Sequence, residues 1–342
     1  MLVVMMQQVK VAPFSPESNR NRFLHVHYMS ISHKDWGNGT SNGPMSVQTA
    51  REVYKSLKAP EAVTVYCCMT VSTPVSLPGA PAIGADVRET DDTFFHVFDF
   101  QFTDGKPYDE ATFTAGRPVA VITESISRAL FGSIQSVGKE FLLSHAPYRV
   151  VGVVKDVSTL ADMAYGQVWI PFTSTNLSND TWSDNHMGMM SVTLLAHDRE
   201  DFDEIRAEAK RRMNEYNSIL ADQGYTLIDR NRPYDQETQS ISFAANLEPD
   251  LKAARRERVI IFIILLLVPA INLSSMTQSR LRQRVAEIGV RRAFGSTRIE
   301  MVGQIVMENL VITLLAGAIG LLISISVSYT HLRAHETGAY LV

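Results

Sequence analysis

Residues 259–276 read VIIFIILLLVPAINLSSM, and residues 310–327 read LVITLLAGAIGLLISISV. Neither stretch holds a charged side chain over its 18 residues. Eighteen residues of α-helix rise about 27 Å, close to the thickness of a bilayer's hydrocarbon core. The first ten residues of the earlier stretch are all Val, Ile, Leu or Phe. On the insertion scale they contribute roughly −3 to −6 kcal/mol at the central-position value. A run this uniformly apolar has no polar face to show water. Both stretches are therefore predicted to be transmembrane helices. Pro269 is tolerated inside such a helix. Ala316 and Gly320 form a small-xxx-small pair that lets a second helix approach closely.

Working outward, residues 277–302 between the two stretches carry Arg280, Arg282, Arg284, Arg291, Arg292 and Arg298 against Glu287 and Glu300. Short loops rich in arginine stay in the cytoplasm, which puts the chain before residue 259 outside it. Lys252, Arg255, Arg256 and Arg258 pull the other way. The orientation follows the larger arginine count and the motif described below.

The chain of 342 residues has a mean hydropathy near zero. That mean averages a soluble portion before about residue 250 and a membrane portion after about 258. A net charge of −4 gives no reason to expect nucleic acid as a partner. Cys67 and Cys68 are the only cysteines. Strand neighbours point to opposite faces, so they read as two structural thiols and not a disulfide scaffold.

Residues 11–250 alternate strand and helix signals. Residues 119–122 are a short apolar run followed by Thr123 and Ser125 as helix caps, then an apolar-periodic stretch stopping at Gly132. Residues 148–154, YRVVGVV, form a β-branched strand whose glycine marks a bulge or a close approach. Residues 191–195 are another strand. Phe202, Ile205, Ala209, Met213, Tyr216 and Leu220 then fall at helical spacing through a charged segment. The fold class expected is an α+β extracytoplasmic domain in two lobes, plus α-helical transmembrane segments.

No catalytic pattern stands out. Residues 132–139, GSIQSVGK, have five residues between the glycines where a phosphate loop has four, and Glu140 replaces its Ser or Thr. His25 and His27 form an HxH pair with no further ligand cluster nearby, which favours surface histidines over a metal site.

Residues 281–300 read LRQRVAEIGVRRAFGSTRIE. Physically this is a helix, a stop and a second helix. Leu281, Val285 and Ile288 make an apolar face, while Arg284, Glu287 and Arg291 stand at i, i+3 and i+4 spacings that permit ion pairing. Arg291 and Arg292 suit the negative end of the helix dipole. Gly295 ends the helix, and Thr297 with Glu300 fits a capping box for the next.

The run from Glu287 to Ser296, EIGVRRAFGS, with Glu308 following, resembles the signature of the FtsX-like permeases, the family of the MacB exporter, the lipoprotein-releasing permeases and the FtsX division protein. The soluble part is similar to the MacB-like periplasmic core. It carries Phe94-Phe95, Phe98, Gly105-Lys106-Pro107, residues 119–125, Leu130-Phe131-Gly132, Val137-Gly138-Lys139 and residues 148–156. The resemblance implies that Arg284, Glu287, Gly289, Val290, Arg291, Arg292, Ala293, Gly295 and Glu308 couple the chain to an ATPase. It implies no cofactor on this chain, with ATP and Mg held by a partner ABC ATPase subunit. Further partners implied are a second permease, as homo- or heterodimer, and membrane lipid.

The expected organisation runs as follows. Residues 1–10 are the end of a first transmembrane helix whose beginning is missing. Residues 11–253 are the extracytoplasmic core, 254–276 a transmembrane helix, 277–302 the cytosolic coupling segment, and 303–327 a second transmembrane helix. Residues 328–342 are expected to be a non-native tail, because VSYTHLRAHET at 327–337 resembles the translation of a transposase adapter used in sequencing libraries. The function expected is that of a permease subunit which couples ATP hydrolysis by a separate ATPase to an outer domain, in a bacterial cytoplasmic membrane. The alternative is a membrane-anchored sensor that only binds ligand. An extracytoplasmic hydrolase ranks third, for want of a catalytic pattern.

Overall fold

The computed structural model describes residues 14–337. The expectation for residues 1–10 thus lies wholly outside the described residues, as does the last part, 338–342, of the tail expected at 328–342. The described chain divides into two compact units, residues 14–249 and 250–333.

The strands of the first unit are, in chain order, β1 (Phe23–Val26), β2 (Met29–His33), β3 (Thr40–Gly43), β4 (Ala62–Cys67), β5 (Val71–Ser76), β6 (Ile83–Thr90), β7 (Phe102–Gly105), β8 (Val119–Thr123), β9 (Glu140–Leu143), β10 (Ala146–Val154), β11 (Val168–Pro171), β12 (Met190–Leu195), β13 (Tyr225–Ile228) and β14 (Tyr234–Asp235). Among the described residues, eleven of them form one sheet and β13, β2 and β3 a second. Six strands of the large sheet close on themselves in the order β5-β6-β11-β8-β10-β9 and back to β5. This small barrel is one lobe. Alternate residues point inward, so Val75, Ala85, Val87, Ile122, Phe141, Val150 and Ile170 pack into its own core.

The second lobe continues the sheet as β4-β12-β1-β14. The helix Phe202–Leu220 lies on it, and Phe202, Ile205, Ala209, Met213, Tyr216 and Leu220 are its buried residues. The helical spacing read from the sequence therefore marks the face that packs. It does so against β-strand residues such as Leu24, Val63, Val65 and Leu194. The sequence reading of 119–132 holds except at Ser125, which lies inside the helix and does not cap it. Thr123 caps the helix Glu124–Phe131, and Gly132 ends it in the left-handed region at φ 67°. At Gly152 both expectations are met. The β10–β8 register shifts there, and a Cβ would lie 2.7 Å from Phe102 Cε1.

The lobes meet across an aromatic layer. Phe23, Phe94, Phe95, Phe98, Phe100, Tyr108 and Trp169 fill it with edge-on and tilted pairs, such as Phe94–Phe98 at 4.7 Å and Phe100–Trp169 at 5.1 Å. Backbone pairing at the junction is sparse. Among the described residues, β6 and β4 share one ladder pair, Tyr66↔Thr90. The next residue, Asp91, is buried, and its carboxylate accepts from Lys55 Nζ at 2.6 Å, Thr64 Oγ1 at 2.7 Å and the Val65 amide at 2.9 Å. Burial pushes the Asp91 pKa up, and Lys55 opposes that shift. Two further buried charges, Glu17 and Arg20, pair at 2.6 Å and hold loop 160–164.

His25 corrects the sequence reading. It is buried at 1% exposure and not at the surface. One ring nitrogen contacts Thr193 Oγ1 at 3.1 Å, the other Gln236 Oε1 at 2.8 Å, and burial lowers its pKa to about 4. His27 is half-buried against Ser191.

In the second unit, two of the described helices, Leu251–Gln283 and Arg298–Val327, are long and apolar enough to cross a membrane. The backbone of the latter stays helical to Thr337. Lys55→Met should leave Asp91 buried without its cation. Thermal or denaturant unfolding of the purified chain should show a loss of about 3 kcal/mol, while Asp91→Asn with Lys55→Met should recover part of it.

Candidate functional site

The segment between the two long helices is built from two helix stops and a set of side-chain ties. The first long helix ends at Arg284, whose backbone (φ −98°, ψ 9°) leaves helical geometry, and a nine-residue helix, Val285–Ala293, follows. Leu281 and Val285 thus sit on different helices, so the single apolar face expected from Leu281, Val285 and Ile288 does not form. Leu281 and Ile288 line a cleft, but Val285 is 63% exposed. Gly295 stops the short helix at φ 95°. The Ser296 amide donates to Arg291 O and the Gly295 amide to Arg292 O, which is a Schellman closure. The capping box expected from Thr297 and Glu300 is present, with the Thr297 amide donating to Glu300 Oε2 at 2.9 Å and the Glu300 amide to Thr297 Oγ1 at 3.4 Å.

One face of the short helix is tied to the last helix. Arg284 Nη1 donates to both oxygens of Glu308, at 3.0 and 2.8 Å, and that carboxylate raises the Arg284 pKa. Arg291 makes two bonds, through Nη2 to Glu287 Oε1 at 2.7 Å and through Nη1 to Gln304 Oε1 at 2.7 Å. These residues border a cleft of about 490 Å³. The structure therefore brings Arg284, Glu287, Arg291 and Glu308 together.

Gly289, Val290, Arg292 and Ala293 do not join them; they are exposed and lie outside that cleft. A Cβ built on Gly289 meets nothing within 4 Å. Beside them stands Phe294, 88% exposed. Sequence reasoning missed two residues. Gln304 is uncharged and answers Arg291 only once the turn at Gly295 folds the chain back. Phe294 was visible inside the motif as an aromatic residue beside a helix stop, with no core to enter.

The segment 132–139 uses its amides internally. The Ser136 and Val137 N–H groups both donate to Asp104 Oδ2, at 3.0 and 3.1 Å, so these donors face a carboxylate and not an open anion site.

The profile of the MacB-like periplasmic core domain matches residues 1–212, and that of the FtsX-like permease C-terminal region matches residues 259–338. The chain belongs to the MacB-type, FtsX-like family of ABC-transporter permeases. Among its curated relatives is the uncharacterized ABC transporter permease YknZ of Bacillus subtilis, 22% identical over 244 residues, covering 69% of this chain and 55% of that one. Another is the macrolide export ATP-binding/permease protein MacB of Burkholderia pseudomallei, 24% identical over 249 residues, covering 72% and 36%. The chain thus spans about half or less of the length of these relatives. The solved periplasmic region of MacB from Actinobacillus actinomycetemcomitans is 17% identical, with 59% of this chain and 88% of that one covered and a TM-score of 0.40. For this FtsX-like permease the tied and exposed faces of the short helix divide the motif. Arg284, Glu287 and Arg291 bind inward, while Gly289, Val290, Arg292 and Ala293 face out.

The Arg284–Glu308 tie is exposed, and exposed pairs order a segment locally more than they stabilise a fold. Arg284→Glu should speed amide hydrogen exchange across residues 285–293 in membranes. The swap Arg284→Glu with Glu308→Arg should slow it again, with the protein's abundance unchanged throughout.

Proposed function

We propose that this chain is the permease subunit of an ABC-type transporter in a bacterial cytoplasmic membrane. On this reading a separate ATPase subunit, which holds ATP and Mg, docks on the helix Val285–Ala293. The work of ATP binding then reaches the large domain outside the cytoplasm, for export, extraction or signalling. The observation that carries this is the two-faced short helix. Its inner face is tied to Glu308 and Gln304 at the base of the last helix. Its outer face offers Gly289, Val290, Ala293 and the bare ring of Phe294. An exposed phenylalanine beside small residues and Arg292 is the composition of a protein contact, where aromatic and arginine side chains concentrate. A push on that face passes through Arg284 and Arg291 into the helix carrying Glu308, just before the uncharged run at 310–327. Ala316 and Gly320 on that helix supply a close-approach face for a second permease, homo- or heterodimeric, and the remaining apolar surface suits lipid.

Two experiments test this. With Cys67 and Cys68 replaced by alanine, a cysteine at Asp180 should label in intact cells with an impermeant maleimide, and one at Phe294 only after permeabilisation. Labelling of position 294 in intact cells would reverse the topology. For coupling, Glu287→Lys sets like charges at i, i+4 with Arg291, and Gly289→Leu adds bulk to the outer face while favouring helix. Both variants should reach the membrane at wild-type level. Recovery of an ATPase on the tagged full-length subunit, and its ATP turnover, should fall roughly tenfold or more, as loss of an interface anchor does. Wild-type recovery and turnover in both would mean an ordinary lipid-facing helix and would favour the sensor reading.

A further inference from the structure

The barrel lobe has an open end that the coupling mechanism does not use. Along β6 the inward positions alternate as Ile83, Ala85, Val87 and Glu89. The register agrees, since Val87 pairs with Val168 and Glu89 with Ile170, and Val168 and Ile170 belong to the barrel core. An acid thus stands where the strand's period calls for an apolar side chain. It faces a cavity of about 350 Å³ at the barrel mouth, walled by Leu143, Ile170 and the ring of Tyr148. Val71 and Met69, two exposed apolar residues, form its rim.

The two fully buried acids described in this unit have cations of their own, whereas Glu89 is half-buried. Glu17 pairs with Arg20 and Asp91 with Lys55, each at 2.6 Å. Among the described residues Glu89 has no ion-pair partner, and its one hydrogen bond comes from the hydroxyl of Thr175. The adjacent Arg88 points to the opposite face and gives its donors to the carbonyls of Tyr165, Cys67 and Asp162. Burial pushes the Glu89 pKa from 4.5 up to about 7, opposed by the Thr175 hydrogen bond and by no neighbouring cation.

We propose that the barrel mouth binds a small organic cation, its ammonium on Glu89 and its apolar body against Leu143, Ile170 and Tyr148. Barrel mouths with apolar walls and one placed polar group are a common form of ligand site. Here the lone carboxylate selects the charge, and the Tyr148 ring adds a face to which cations are drawn. An anion would meet Glu89 as a like charge. A neutral apolar ligand would bury it further with nothing in return. The proposal concerns binding alone and stands whether or not the chain couples to an ATPase.

The test uses the full chain in zwitterionic lipid nanodiscs, with 4-phenylbutylamine and its neutral counterpart 4-phenylbutan-1-ol as probes. Calorimetric titrations are corrected with empty discs. The wild type should bind the amine roughly tenfold or more tightly than the alcohol, the difference expected of a hydrogen bond to a charged group. Glu89→Gln should remove that preference while keeping the alcohol's affinity, and Val71→Trp at the rim should weaken both probes. Thermal melts check that each variant is folded. Equal affinity of the two probes for the wild type, a preference that survives in E89Q, or no saturable binding of either probe would overturn the proposal.

Discussion

Asp91 follows directly on the ladder pair that joins β6 to β4, and its carboxylate gathers Lys55, Thr64 and the Val65 amide. Desolvating such a carboxylate costs several kcal/mol, and the cost is offset only where the charge is paired and its lone pairs are filled. All of that is met here by residues from the other lobe. Lys55 reaches the site from the end of the short helix Ala50–Lys55, and its Nζ also donates to Val63 O and Thr93 Oγ1. The barrel and the sheet-and-helix lobe are thereby fixed to each other at a point where the backbone ladder is thinnest. The aromatic layer around Phe94, Phe98 and Trp169 adds apolar contact beside it.

The membrane-proximal segment solves a related problem with different means. A nine-residue helix is too short to persist in water on its own propensity. It is delimited by a break at Arg284 and a glycine closure at Gly295, and two arginines then tie it to its neighbour. Because the ties use the inward face, the outward face is left to Gly289, Val290, Ala293 and the untied Arg292. The division of labour within the motif follows from helical period alone once the break at Arg284 is fixed.

Much of this was legible in the sequence, and what was legible has a common cause. Local period and local caps announce themselves: the six buried residues of Phe202–Leu220, the Thr123 cap, the Gly132 and Gly295 stops, the Thr297–Glu300 box, and the two apolar helices. What was not legible depends on partners far along the chain. His25 looked like a surface residue because Thr193 and Gln236, which satisfy its ring, lie 168 and 211 residues away. Gln304 carries no charge to advertise its role. The break at Arg284 overrode the helical pattern that linked Leu281 to Val285. Nor does any local rule predict that β11 returns to pair with β6, and that closure is what turns Glu89 inward.

A joint made of side chains has an evolutionary consequence. Moving a strand by ladder slippage flips every side chain to the other face unless it shifts by two residues at once, so ladders resist gradual change. Where one ladder pair and a set of side chains join the lobes, their mutual angle is set by residue identity at Lys55, Asp91 and the rings around them. Single substitutions then suffice to retune the set of the barrel against its neighbour. Homologues sharing this topology can diverge in that angle while every strand keeps its register.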